Sequence, residues 1–225
     1  GWTQGHDEKW ALCLFVEGGR LQDANGVKAK SAILEIARIH KGDLRLTPNQ
    51  NLIIAQVDEA DKASIEETLA RHGVVAPAEL SGLRLNSIAC TALPTCGLAL
   101  AESERYLPSL VDDLEKVLDE TGLRSESIAI RATGCPNGCG RPYLGEIGIV
   151  GKAPGKFNVY LGAGLDGSRL NKLYKQALTH DEILAELSPI IRRYADERRA
   201  NERFGDFCIR TEYVKATGNG LDFHD

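Results

Sequence analysis

The chain of 225 residues contains no methionine, only 6% aromatic residues, and no long apolar run. A helix that spans a membrane needs roughly 20 consecutive apolar residues, so no transmembrane helix is expected. No charged and then apolar leader opens the sequence, so no secretory signal is visible and we expect a cytoplasmic location. Because the initiating methionine is missing, we expect Gly1 to be a cut in a longer chain.

The chain also has fewer positive than negative side chains, with 27 Lys and Arg against 32 Asp and Glu, so its net charge is −5. Nucleic-acid binding proteins neutralise phosphates with clustered Lys and Arg, so nucleic acid is not an expected partner. The remaining composition, 43% hydrophobic and 26% charged, is typical of a globular protein with one large or two small domains.

The periodicity predicts an α+β protein with a boundary within residues 74–81, and it separates residues 1–79 from residues 80–225. In the first part we predict strands at 12–16, 44–47 and 52–57, and helices at 28–40 and 59–72. In the second part we predict strands at 128–130, 146–150 and 157–161, and helices at 98–106, 108–121 and 180–203. Thr179 and Glu182 form a predicted capping box for the last helix, and Pro189 is expected to kink or restart it.

The six cysteines fall into two groups. Without a secretory signal a disulfide framework is not expected, and clustered cysteines in a reducing compartment more often bind metal. Cys13 and Cys208 lie in apolar, strand-like runs, so we interpret them as small buried hydrophobic residues. The other four form two pairs, Cys90 with Cys96 and Cys135 with Cys139.

Each of the two pairs lies on a turn rich in Pro, Gly, Thr or Asn. Such turns expose backbone N–H groups that can point at the sulfides of an iron–sulfur cluster. Four thiolates are the ligand set of a 4Fe–4S cluster, so Cys90, Cys96, Cys135 and Cys139 are the candidate ligands. Two alternatives remain open from the spacing. Structural zinc usually has two to four residues between paired ligands, whereas five and three separate them here, and the cysteines could also be unrelated.

Motifs around these pairs resemble the sulfite and nitrite reductase family. Residues 131–141 read RATGCPNGCGR and resemble the second cluster loop of that family, and residues 93–105, LPTCGLALAESER, resemble the first. Residues 150–158, VGKAPGKFN, are similar to the NADPH-dependent assimilatory sulfite reductases, and residues 46–54, LTPNQNLII, resemble a ferredoxin-like half. The resemblance covers nearly the whole chain in order and identifies it as the C-terminal half of a longer protein.

The resemblance implies the fold and the cofactors. Residues 1–79 would form a ferredoxin-like α/β sandwich unit, and residues 80–225 a mixed-sheet unit that binds a 4Fe–4S cluster and sirohaem. Cys139, as the last cysteine of its loop, would also be the axial ligand of the sirohaem iron. Asn137 is a further candidate for cofactor contact, although Asn also suits left-handed turns, so a purely structural role is equally compatible.

The resemblance also implies an activity, the assimilatory six-electron reduction of sulfite to sulfide for cysteine biosynthesis. The expected partners are the N-terminal half of the same protein, sulfite, and a flavoprotein reductase that supplies electrons from NADPH. The basic residues that bind sulfite belong to the other half, so we expect no catalytic residue in this chain and no activity from it alone. The alternatives are a ferredoxin-dependent sulfite or nitrite reductase and a zinc-binding scaffold without redox activity.

Overall fold

The computed structural model describes residues 1–224, which form two compact units that divide after Leu80. The boundary expected from the sequence was after residue 79. No helix in the described residues is both long and apolar enough to cross a membrane.

The first unit, residues 1–80, is a four-stranded antiparallel sheet with two helices. Its strands and helices are β1 Trp2–Gln4, β2 Trp10–Leu14, β3 Asp23–Ala24, β4 Val27–Lys28, α1 Ala29–Ile39, β5 Asp43–Leu46, β6 Leu52–Val57 and α2 Lys62–Arg71. The sheet order is β1-β2-β6-β5, and β3 and β4 form a separate short hairpin. Apolar residues at helical spacing on α1 pack with Leu12 and Ile54 from the sheet and Ile65 from α2 in one core.

The second unit, from Ser81 onward, is a five-stranded mixed sheet with four helices. Its elements are α3 Gly82–Leu85, β7 Ser87–Ala89, α4 Leu107–Glu120, β8 Ile130–Thr133, β9 Ile147–Ala153, β10 Lys156–Leu161, β11 Lys172–Leu178, α5 His180–Glu197 and α6 Phe204–Arg210. The sheet order is β11-β10-β9-β8-β7, in which β7, β8 and β9 are parallel and β10 and β11 are antiparallel additions. Apolar residues of α4, α5 and α6 form one core with β8, β9 and β10.

The predicted α+β class is confirmed, and the capping box is present, since Thr179 Oγ1 accepts from the Glu182 amide and Glu182 accepts from the Thr179 amide. The helix predicted at residues 98–106 is wrong, because these residues form turns. The amides of Leu100 and Ala101 donate to the carbonyl of Gly134 rather than to a carbonyl four residues earlier. Leu98 is 70% exposed, so the apolar spacing there does not mark a core-facing helix.

Other predictions in this unit need correction. Pro189 does not restart the helix, because α5 runs as one helix from His180 to Glu197. Pro189 and Ala185 are both exposed, so water can bond the Ala185 carbonyl that loses its usual partner. The helix ends at Glu197 rather than at residue 203, and α6 follows, so Cys208 lies in a helix and not in a strand.

Candidate functional site

The two cysteine loops begin at the same edge of the mixed sheet. Cys90 directly follows β7, and Cys135 lies two residues after the end of β8. The two strands are parallel neighbours, with Ala89 opposite Ala132. Because parallel neighbours end at the same edge, the two chain segments that carry the cysteine pairs leave the sheet side by side.

Hydrogen bonds join the two loops directly. The Gly134 amide donates to Cys90 Sγ at 3.2 Å, and the Thr133 hydroxyl donates to the same sulfur at 3.4 Å. The Cys90 amide donates to the Ala132 carbonyl at 3.1 Å, and the Leu100 amide donates to the Gly134 carbonyl at 2.8 Å. The loops therefore hold each other through both backbone and sulfur.

Glycines allow the loops to approach so closely. A β-carbon on Gly140 would lie 2.0 Å from the Ala132 carbonyl oxygen and 3.2 Å from the Cys90 amide nitrogen. A β-carbon on Gly134 would lie 2.6 Å from the Ala101 carbonyl oxygen. Real β-carbon contacts below about 3 Å to backbone do not occur, so only glycine fits either position.

The four candidate ligands differ in exposure. Cys135 is buried, Cys90 and Cys96 are half-buried, and Cys139 is exposed. Within residues 1–224, no group of three or more His, Cys, Asp or Glu side chains is close enough to hold a metal ion. The structure thus brings the two loops together through Cys90 and Gly134, and the convergence of all four sulfurs stays a prediction.

The remaining two cysteines lie elsewhere. Cys208 is fully buried in the core of the second unit, as expected of a small hydrophobic residue, and burial raises the pKa of its thiol. Cys13 belongs to the first unit, in β2, and is half-buried rather than buried.

Two arginines give the second loop a positive environment. Arg131 lies in β8, is half-buried, and has a buried Nε atom without a hydrogen-bond partner among the described residues. Burial, together with the charge of Arg141, lowers the pKa of Arg131 below its ordinary value. Charged groups in such surroundings favour an anionic neighbour.

The other cations and polar groups that the sequence singled out are more exposed. Asn137 is exposed at the tip of the second loop, next to Gly138, whose φ of 73° is left-handed. Lys152 is exposed, and Lys156 lies 3.7 Å from the carboxylate of Glu182.

Sequence reasoning missed Tyr143, four residues beyond Cys139. Its hydroxyl donates to the Pro136 carbonyl within the second loop at 3.3 Å. Burial, with Tyr160 and Cys135 nearby, raises the pKa of Tyr143 to about 12, so it remains a hydrogen-bond donor at neutral pH. No motif marks this residue, because its role depends on a turn that returns the chain beneath the loop.

Comparison with known proteins defines the class of this chain. The family model described as the nitrite/sulfite reductase ferredoxin-like half domain matches residues 3–72. The chain is 54% identical over 225 residues to a sulfite reductase (NADPH) hemoprotein beta-component of Paenibacillus sp. (strain JDR-2). It is 55% identical over 223 residues to the protein of that name from Staphylococcus carnosus (strain TM300). In each case it spans 39% of the relative's length. The chain is thus similar along its whole length to sulfite reductase hemoproteins, and residues 3–72 match the nitrite/sulfite reductase ferredoxin-like half domain.

Solved structures share the fold. The NirA protein of Mycobacterium tuberculosis matches 95% of this chain, and 40% of its own, with a TM-score of 0.77 and 26% identity. A dissimilatory sulfite reductase I matches 90% of this chain, and 66% of its own, with a TM-score of 0.63. At 12% identity the second match concerns the fold alone.

Proposed function

We propose that this chain is the cluster-bearing, C-terminal part of a sirohaem-dependent assimilatory sulfite reductase. The observation that carries the proposal is the pair of cysteine loops, which are joined by hydrogen bonds from Gly134 and Thr133 to Cys90 Sγ. It is supported by relatives named sulfite reductase that are more than half identical along the whole chain.

The residues present fit a 4Fe–4S cluster. Cys90, Cys96, Cys135 and Cys139 supply four soft sulfur donors on loops that begin at one sheet edge. Arg131, which is half-buried, adds a guanidinium whose buried Nε has no partner within residues 1–224, as expected beside an anionic group. Bound there, such a cluster would supply electrons one at a time.

Hydrogen bonds from neighbouring residues favour metal binding by the Cys90 sulfur. An amide and a hydroxyl already donate to Cys90 Sγ, and hydrogen bonds of this kind stabilise a thiolate. Hydrogen bonds to ligand sulfurs also tune the reduction potential of a cluster. Gly134 and Thr133 are therefore proposed to set the potential through Cys90.

Cys139 is the residue that would hold sirohaem, through a bond from its thiolate to the haem iron. It is the exposed thiol of the four, so it is the one that a large cofactor could reach from outside this unit. Asn137, also exposed on the same loop, is a candidate for contact with that cofactor. A thiolate ligand increases electron density on the haem iron.

In the complete enzyme, electrons from NADPH would arrive through a flavoprotein component for the six-electron reduction of sulfite to sulfide, within sulfate assimilation and cysteine biosynthesis. The names of the relatives, which include NADPH, favour this donor over ferredoxin. The N-terminal half of the protein would supply the basic residues that bind sulfite. This chain is therefore proposed to contain no catalytic residue.

Anaerobic reconstitution with iron and sulfide tests the cluster. We expect four irons and four sulfides per chain, and a broad absorbance near about 400 nm that dithionite bleaches. Changing any of the four cysteines to Ser should lower the iron content, whereas Cys13→Ser, in the other unit, should leave it unchanged. A colourless protein with one zinc per chain would instead support the scaffold alternative.

The sirohaem assignment needs the full-length protein. Cys139→Ser should weaken the magnetic coupling between sirohaem and cluster more than a change of any other ligand. Electron paramagnetic resonance measures this coupling. Loss of coupling in Cys96→Ser, with coupling intact in Cys139→Ser, would show that another cysteine forms the bridge.

A further inference from the structure

An aromatic cluster lies beneath the second cysteine loop. It consists of Tyr143, Tyr160, Phe223 and His224. The Tyr143 ring is 4.7 Å from that of Phe223, 5.3 Å from that of Tyr160 and 5.7 Å from that of His224, between centroids. All three contacts are edge-to-face, one of the two arrangements that aromatic rings prefer.

Tyr143 connects this cluster to the loop in two ways. Its hydroxyl donates to the Pro136 carbonyl, in the turn between Cys135 and Cys139. Its ring lies against Gly138, where an added β-carbon would be 3.3 Å from Tyr143 Cε2. The loop is thus held at two points between its two cysteines, by one hydrogen bond and one ring contact.

Tyr143 is itself fixed from behind. The Asn171 amide donates to the Tyr143 carbonyl at 3.0 Å. The Asn171 side chain, which is fully buried, donates to the carbonyls of Pro142 and Gly145 on either side. The turn that carries Tyr143 therefore has little freedom to move away from the loop.

The C-terminal segment, residues 217–224, completes the arrangement. The Thr217 hydroxyl donates to the Asn171 carbonyl, and the Leu173 amide donates to the Phe223 carbonyl at 2.8 Å. The Tyr160 hydroxyl and His224 Nδ1 are 2.9 Å apart. These bonds place the rings of Phe223 and His224 on the Tyr143 ring.

We propose that Tyr143 is a positioning residue for the Cys135–Cys139 loop, and that the C-terminal segment holds Tyr143 in place. The proposal deepens the proposed function, because it identifies what fixes two of the four suggested ligands. It also predicts that substitutions at Phe223 and His224 change how readily the loop with Cys135 and Cys139 opens.

The test measures opening of the loop in the metal-free chain. Cys135 is buried, so its alkylation by iodoacetamide requires the loop to open, whereas exposed Cys139 serves as the reagent control. Cys208, fully buried in the core, reports global unfolding. Peptide mass spectrometry gives the rate at each thiol.

Tyr143→Phe keeps the ring and loses the hydrogen bond, so Cys135 should react roughly fivefold faster, the factor that corresponds to one ordinary hydrogen bond. Tyr143→Leu, which also loses the ring contacts, should react faster still. The double variant Phe223→Ala with His224→Ala retains the Tyr143 side chain but removes the rings that hold it. This variant should also raise the alkylation rate of Cys135. In all three, Cys208 should keep its wild-type rate.

An unchanged Cys135 rate in the Tyr143 variants would overturn the proposal, as would equal increases at Cys135 and Cys208, which would indicate general destabilisation only. If the Tyr143 variants raise the Cys135 alkylation rate but the Phe223 and His224 double variant does not, the role proposed for the C-terminal segment is wrong. If the wild-type chain takes up no cluster, the proposed function fails, but the thiol rates still decide this inference.

Discussion

At Gly140 the second cysteine loop passes the Ala132 carbonyl of β8 at a distance that admits only a hydrogen atom, and the Cys90 amide of the first loop lies close by. These neighbours are backbone, so a larger residue cannot be accommodated by a side-chain rotation. Gly97, next to Cys96 in the other loop, differs, because an added β-carbon would have nothing within 4 Å. The two glycines therefore form a matched pair, one required by packing and one not.

Gly140→Ala should lower the free energy of unfolding of the chain by about 3 kcal/mol or more, because the β-carbon would displace either β8 or the first loop. Gly97→Ala should change it by less than about 1 kcal/mol. Urea denaturation followed by circular dichroism measures both. Equal losses in the two variants would show that the loops are not packed as described.

The sequence shows the cysteines and glycines of the two loops, but not which of them lie in contact. The cysteine pairs and their glycines are visible as a motif, but the contact between Gly140 and Ala132 depends on how the loop folds back past the end of β8. Tyr143 could not be predicted either, since its partners Pro136 and Phe223 are brought together only by the fold.

Among the elements, the carboxylate of Glu202 links the connection between α5 and α6 to α6 itself. Glu202 accepts from Arg210 Nε at 2.6 Å and Nη2 at 2.8 Å, and also from the Arg199 amide. The Arg210 guanidinium lowers the pKa of Glu202 from 4.5 to about 2. The charged form is thus favoured in the folded chain.

This shift predicts a pH dependence. Because the folded pKa lies below the unfolded one, the stabilisation is fully present above about pH 4.5 and is lost as the pH falls towards about 2. The free energy of unfolding of Glu202→Gln should therefore fall less steeply over this window than that of the wild type, in urea titrations at each pH. Glu212→Gln, an exposed carboxylate nearby, is the control and should follow the wild type.

Helices with strong local signals were predictable, and elements without them were not. Thr179 with Glu182 gave the start of α5, and Gly122, with a φ of 69°, lies just beyond α4. The strands β7 and β11 were missed because β7 has only three residues and β11 has an exposed or half-buried pattern without alternation. The helix predicted at residues 98–106 was wrong because Leu98 and Leu100 are exposed residues of a loop. Local periodicity cannot distinguish such a loop from a helix.

At the scale of the whole molecule, the chain has a net charge of −5, while sirohaem carries several carboxylates. The nearby cations in sequence are Arg131, Arg141, Lys152 and Lys156. Lys156 is 3.7 Å from Glu182, and Arg131 is half-buried. Burying a multiply charged cofactor without more cationic partners is costly, so the proposed sirohaem site would need cations from outside this chain.

We therefore expect this chain alone neither to bind sirohaem tightly nor to reduce sulfite. The measurement is reconstitution under argon with iron, sulfide and sirohaem, followed by a sulfite assay with reduced methyl viologen, beside the full-length protein. Stoichiometric sirohaem uptake with turnover comparable to the full-length protein would show that this half is sufficient.

The parallel pairing of β7 with β8 also determines when the site can form during synthesis. The two strands are separated by the whole of α4, so their pairing is non-local and must wait for loop closure. The Phe223 and His224 rings that contact Tyr143 come from residues that are translated after both cysteine pairs. During synthesis the four cysteines therefore precede the residues that support the second loop, and metal delivery is expected to follow the synthesis of Phe223 and His224.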